Sequence, residues 1–273
     1  MPPLIHRRHA LGLLAVASLL PARSFANIAP QRSEIREALA KRFADDGTVG
    51  TFVGYKVDDY LIIASDKNRS GEGKLPASTF KIANSLIALE TGVVEDPDKD
   101  VFKWDGVKRP IEAWNQDHTM RSAIAVSAVP VYQEIARRIG QERMQKYIDL
   151  IDYGNRDIGG GIDQFWLTGA LRIDPMQQVD FVDRLRRGVL PISKRSQELV
   201  RDILPVTKVG DTVIRAKSGQ LGKEQGHLGW MVGWAEKGEA RTVFALNMDC
   251  PESRLVAARM TVTQACLRDI EAI

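Results

Sequence analysis

Gly50-Thr51-Phe52-Val53-Gly54-Tyr55-Lys56-Val57-Asp58-Asp59-Tyr60-Leu61-Ile62-Ile63-Ala64-Ser65 reads as two β-strands joined by a turn. β-Branched and aromatic residues fill both arms, and Asp58-Asp59 supplies the turn chemistry between them. The same patterning returns only late in the chain, over residues 212–216, 228–235 and 241–248, with glycine-bearing turns between the runs. From Ser78 to about Val200 helical periods dominate, punctuated by Gly92, Pro97, Pro110, Pro130 and Gly159-Gly160-Gly161. A last helix is predicted over 253–270. Near the start, Ile35, Leu39 and Phe43 recur at helical spacing among alternating charges, which predicts an amphipathic helix over 31–43. Strands at both ends and helices in the middle predict an α+β fold. One antiparallel sheet is assembled from the N- and C-terminal segments, with a helical insertion between them. A site is expected in the cleft where sheet and helices meet.

The first residues are not expected to belong to that fold. Arg7 and Arg8 precede the apolar stretch 10–20, Pro21 interrupts it, and Ser24-Phe25-Ala26 offers small residues around a cleavage point. This reads as a secretory leader over 1–26, too short in its apolar part to span a bilayer, with one catalytic domain over 27–273. Export to the periplasm follows, by the general or the twin-arginine route. The whole chain holds 38 lysines and arginines against 35 acids. Removing Arg7, Arg8 and Arg23 with the leader leaves a neutral mature protein, so charge gives no case for nucleic acid or an anionic membrane as partner. Cys250 and Cys266 could oxidise after export, but the second lies late in the last predicted helix. About twelve helical residues span about 18 Å, which predicts two separate thiols. They also lack the spacing of a metal site.

Ser78-Thr79-Phe80-Lys81 opens the most apolar helical stretch. Ser78 and Lys81 stand one turn apart and point the same way, which puts an amine beside a hydroxyl it could deprotonate. The competing reading is an N-capping serine followed by a solvated lysine. Ile82, Ala83, Leu86, Ile87 and Leu89 make the helix apolar almost all round, however, and a lysine buried there must find a partner or lose its charge. Lys217-Ser218-Gly219 ends a strand, where an open edge could pair with an amide-bearing substrate and the glycine would allow close approach. Ser127 is a lone hydroxyl in the apolar run 123–130. It suits a helix N-cap, a proton relay, or both. Arg259 falls on the same stripe of the last helix as Leu255, Val262, Cys266 and Ile270. An arginine there needs an anion, either a buried aspartate or a ligand carboxylate. Only His118 and His227 remain beyond the leader, with no H-E-x-x-H and no G-x-S-x-G, so lysine is the better-supported base.

With these residues in place the chain resembles the class D, or OXA-type, serine β-lactamases, relatives of the penicillin-binding proteins. S-x-x-K followed by a late K-[ST]-G is a signature of that group. The likeness also includes Ser127-Ala128-Val129, Tyr153-Gly154-Asn155, Phe165-Trp166-Leu167, the run 229–234 and the run 244–249. It extends over nearly all of the mature chain. Phe80 within the first motif, together with Tyr-Gly-Asn, favours class D over class A.

The resemblance implies a transpeptidase-like fold and hydrolysis of a β-lactam through an acyl-serine. Ser78 is then the nucleophile and Lys81 a carboxylated lysine acting as general base. Trp166 donates to the carbamate, with Phe80 and Val129 keeping the pocket dry. Ser127 relays a proton to the lactam nitrogen under the influence of Lys217. Backbone N–H groups of Ser78 and Gln220 form the oxyanion hole, while Lys217, Ser218, Gly219 and Arg259 bind the substrate. No metal or cofactor is implied beyond carbon dioxide, drawn from bicarbonate. A β-lactam is the expected partner, with no nucleic acid and no lasting membrane association; the oligomeric state is left open. Serine at position 218, where threonine is more usual, keeps the hydroxyl. The rival readings on the same scaffold are a receptor that stays acylated and a D-alanyl-D-alanine carboxypeptidase.

Overall fold

The structure is a computed structural model, and it describes residues 32–273; the leader lies outside them. In chain order it contains β1 (Arg32–Ile35), α1 (Lys41–Asp45), β2 (Gly50–Lys56), β3 (Leu61–Ala64) and α2 (Lys81–Glu90). Then follow α3 (Met120–Ala125), α4 (Val129–Ile139), α5 (Gln141–Leu150), α6 (Pro175–Arg187) and α7 (Lys194–Ile203). The chain closes with β4 (Val206–Val209), β5 (Thr212–Gln220), β6 (Leu228–Lys237), β7 (Ala240–Asp249) and α8 (Ser253–Asp269). The strands form one seven-stranded sheet in the order β1-β3-β2-β7-β6-β5-β4. The expected union of the two chain ends occurs at β2 and β7, which pair antiparallel from Gly50 opposite Met248 to Lys56 opposite Thr242.

Two expectations need correction here. Residues 31–43 are not one helix: Arg32–Ile35 is an edge strand, followed by a 3₁₀ turn at Glu37–Ala40 and the short α1. Leu39 and Phe43 are buried as the periodicity demands, but Ile35 is exposed. Local spacing could not reveal that Arg32–Ile35 finds its hydrogen-bond partners on β3. That pairing is parallel, so the sheet is mixed at this edge and antiparallel elsewhere. The helical middle is also less regular than its periods suggest, because residues 92–119 and 151–174 are largely loops. Among the described residues no helix is long and apolar enough to cross a membrane.

Alternation along the strands divides the core. Phe244, Leu246 and Met248 of β7, with Met231 and Ala235 of β6 and Phe52 of β2, pack against Leu255, Val262, Cys266 and Ile270 of α8 and against Leu39 and Phe43. Cys250 and Cys266 are both buried in this layer as free thiols. The intervening strand positions face the helical insertion, whose α6 lies against β2, β6 and β7. Asp174 caps α6 in a reciprocal box with Gln177, and Pro175 occupies the first turn, which fixes where that helix begins.

Candidate active site

The nucleophile candidate sits where the two layers touch. Ser78 lies in a 3₁₀ turn, Ala77–Phe80, that runs directly into α2 and packs on β5 and β6. Its side chain makes no capping bond, so the N-cap alternative for Ser78 does not hold. Ala77, just before it, adopts φ +51°, a left-handed conformation that a non-glycine residue keeps only under constraint. The Ala77 N–H donates to the Trp166 carbonyl at 3.0 Å. Trp230 Nε1 donates to the Leu75 carbonyl at 2.9 Å, tying the approach segment to β6.

Lys81 Nζ lies 2.8 Å from Ser78 Oγ and donates to it. The lysine is fully buried. Burial, with a smaller contribution from the charge of Lys217, lowers its pKa well below the ordinary lysine range. Burial thus favours the neutral amine over the ammonium. Its apolar walls are aromatic: Phe80 stacks on Trp166 at 5.2 Å and meets Phe165 edge-on, and the Tyr132 ring lies 5.2 Å from Nζ. Tyr132 shares a hydrogen bond with Ser85 at 2.8 Å. Val129 and Leu167, expected in the same dry wall, are only partly buried. Trp166 is fully buried, yet its indole N–H has no hydrogen-bond partner among the described residues.

Ser127 and Lys217 form a second pair. Lys217 Nζ donates to Ser127 Oγ and, at 2.9 Å, to the Ser218 carbonyl. Burial and the nearby Arg259 charge bring the Lys217 pKa down to about 7. Ser127 is not an N-cap. It occupies the turn between α3 and α4 at φ +56°, and α4 starts at Val129 after an Ala128 cap. Trp114 Nε1 donates to the Val126 carbonyl at 3.0 Å and steadies this turn.

The open edge predicted at Lys217-Ser218-Gly219 has a specific cause. β4, which the sequence reading missed, pairs only with Thr212 to Arg215 of β5. Ala216 N–H still reaches the Pro205 carbonyl on that side at 3.0 Å. By alternation the backbone groups of Ser218 and Gln220 face the same side, where no strand follows. Gly219 also meets a constraint within the protein. A Cβ there would stand 3.1 Å from the Pro76 carbonyl and 3.3 Å from Thr79 Cγ2, so glycine also lets the strand lie close to the Ser78 turn.

Arg259 projects from α8 toward the same strand. Its Nε donates to the Val256 carbonyl at 2.7 Å and Nη1 to the Gly219 carbonyl. No carboxylate pairs with it among the described residues, which removes the buried-aspartate alternative. Gly229 makes room for its stem: a Cβ there would fall 2.8 Å from Arg259 Cδ. Tyr153-Gly154-Asn155 shapes the wall, since Gly154 at φ +58° would press a Cβ to 2.2 Å from the Arg172 carbonyl. His118 is a core histidine bonded to Ser122 and to the Ala113 carbonyl at 2.9 and 2.8 Å. No cluster of three metal-ligating side chains occurs among the described residues. Tyr132 and Trp114 had no sequence signal beyond helical spacing and aromatic character.

The arrangement offers a serine against a buried amine, a second serine against a second amine, and an open strand edge beside a guanidinium. Comparison with known proteins agrees. Residues 37–270 match the family described as the penicillin-binding protein transpeptidase domain. β-Lactamase OXA-48 of Klebsiella pneumoniae is 42% identical over 226 residues, which is 83% of this chain and 85% of that protein. β-Lactamase OXA-5 of Pseudomonas aeruginosa is 40% identical over 253 residues, 91% of this chain and 94% of its own length. The crystal structure of FUS-1 (OXA-85), a class D β-lactamase from Fusobacterium nucleatum subsp. polymorphum, superposes with a TM-score of 0.84 at 36% identity. It covers 88% of this chain and all of that one.

Proposed function

This chain belongs to the class D β-lactamases, and we propose that it opens the lactam ring through an acyl-serine on Ser78 with Lys81 at the centre of the base. The observation that carries this reading is the 2.8 Å contact between Ser78 Oγ and a fully buried amine whose pKa burial lowers. Ser78 Oγ attacks the lactam carbonyl, its proton passing to the base as the C–O bond forms. The backbone N–H groups of Ser78 and Gln220 receive the developing oxyanion; the latter faces the open side of β5. The C–N bond then breaks. Ser127 supplies a proton to the leaving nitrogen and recovers one from Lys217, whose pKa near 7 suits transfer in either direction. Ser218 and Arg259 hold the substrate carboxylate, the anion that Arg259 does not find among the described residues.

The residues around Lys81 fit its carboxylation by carbon dioxide. Only a neutral amine adds carbon dioxide, and burial favours the neutral form of Lys81. The Trp166 N–H, unpartnered among the described residues, supplies a donor for an anionic oxygen, and the fully buried Phe80 restricts water. When formed, the carbamate supplies an anionic oxygen base able to take a proton from Ser78 or from water.

The test is intact-protein mass spectrometry during penicillin turnover. A transient adduct of the substrate mass is expected on the wild type and none on Ser78→Ala. An adduct retained by Ser78→Ala would move the nucleophile elsewhere. An adduct that never leaves the wild type would mark a receptor rather than a hydrolase. The leader over 1–26 supports a periplasmic site of action, and the N-terminal sequence of the mature protein tests cleavage after Ala26.

A further inference from the structure

Thr79 has no part in the chemistry above, yet it is buried and fully engaged. Its N–H and its hydroxyl both donate to the Pro76 carbonyl, at 3.1 and 2.7 Å. The hydroxyl oxygen in turn accepts from Gln178 Nε2 at 2.9 Å. Gln178 is fully buried on α6, the helix that the Asp174 cap and the sheet hold in place. Between the two ends of the Pro76–Thr79 turn lies Ala77 at φ +51°. Left-handed backbone at alanine reverts unless its surroundings over-determine it. The direction of the Ser78 N–H depends on that peptide.

We propose that Thr79 and Gln178 form a buried brace from α6 to the nucleophile turn, which keeps Ala77 in its left-handed conformation and aims the Ser78 N–H at the oxyanion. Both are positioning residues; the inference rests on Ser78 being the acylated serine. A donor aimed at charge that develops only in the transition state affects the rate of acylation and not substrate affinity.

The experiment measures single-turnover acylation by a chromogenic penicillin, with the rate referred to the fraction of protein that acylates and with Tm recorded in parallel. Both variants keep a similar volume: Thr79→Val removes the hydroxyl's bonds to Pro76 and to Gln178, and Gln178→Met removes only the bond between Gln178 and Thr79. A misaimed group of this kind costs about 10- to 100-fold in rate, so that loss is expected in the acylation step with substrate affinity unchanged. The double variant should be no slower than the slower single one, because the two residues act as a unit. Thr79→Ser keeps the hydroxyl and should recover most of the rate. Wild-type acylation rates in folded Thr79→Val and Gln178→Met, with only Tm lowered, would overturn the brace, as would losses that multiply in the double variant. Gln178→Glu guards against variants that do not fold. A carboxylate cannot donate to Thr79, but a protonated carboxyl can, and burial raises its pKa. Its rate relative to wild type should therefore rise as pH falls, and a flat ratio counts against the proposal. A wild type with no acyl adduct would instead remove the nucleophile reading itself.

Discussion

Replacing Trp166 by phenylalanine addresses the atom on which the proposed carboxylation of Lys81 most depends. The indole stacks on Phe80 at 5.2 Å with 28° between the rings, and its N–H is buried without an acceptor. Phenylalanine keeps an aromatic face toward Phe80 and removes the donor. In the uncarboxylated protein nothing polar is lost, since the donor had no partner. In the carboxylated protein a hydrogen bond to a charged oxygen disappears, which contributes about 1.5–3 kcal/mol. That corresponds to a rise of about 10- to 100-fold in the bicarbonate needed for half-carboxylation. The assay is the carbamate carbon resonance in ¹³C-bicarbonate, followed against concentration, with Lys81→Ala to assign the signal. Tm measured alongside separates the packing lost with the smaller ring. Acidification should shift both titrations to higher bicarbonate, because a protonated amine cannot react. An unchanged half-saturation point in Trp166→Phe, or a wild type with no carbamate signal at any concentration, would refute the reasoning.

Arg259→Ala should raise KM for carboxylate-bearing penicillins by about 10- to 100-fold through loss of a charge-assisted contact, with kcat little changed; a fall in kcat alone would place Arg259 in the chemistry. Lys217 falls from 10.5 to about 7 on folding. Between those pH values the unfolded chain binds a proton that the folded chain does not, so stability rises with pH across that window. Lys217→Met should flatten this rise in Tm and abolish turnover; an unchanged slope would mean that the amine is not desolvated. Gly154→Ala forces a Cβ onto the Arg172 carbonyl at positive φ. It should cost about 2–4 kcal/mol, or on the order of 5–15 °C in Tm, and a Tm within experimental error of wild type would show that the wall yields.

The contact of Ser78 with Lys81 was legible because helical geometry alone places them together, and burial follows from the apolar residues around them; the contact of Ser127 with Lys217 was implied only by the family resemblance. The stripe on α8 likewise announced Arg259, although its contact with the Gly219 carbonyl depends on how α8 crosses β6. What stayed hidden was non-local. Arg32–Ile35 became a strand through pairing with β3, against its helical spacing. The short β4 has little patterning of its own, yet its length decides which part of β5 remains open. Ser127 suited a helix N-cap locally, and a turn at positive φ, fixed by Trp114 and the packing of α3 on α4, replaces that cap. Gln178 gave no sign at all, since a buried glutamine on an amphipathic helix differs from a surface one only in what it meets.

The pairing of Gly50–Lys56 with Ala240–Asp249 also has a kinetic meaning. Contacts that distant must close a very long loop before they contribute anything, and topology of this kind folds slowly. During synthesis β2 and β3 emerge early but wait almost to the last residues for the neighbour that completes the sheet. Until then β6 and β5 cannot be joined to them, and Lys217 has no fixed place relative to Ser127. A chain interrupted before residue 240 would thus hold Ser78 and Ser127 without the assembled site. The long interval leaves hydrophobic strands without partners, the state most exposed to aggregation. Refolding from denaturant should accordingly yield native β-lactamase activity and β2–β7 amide protection together, in one late phase.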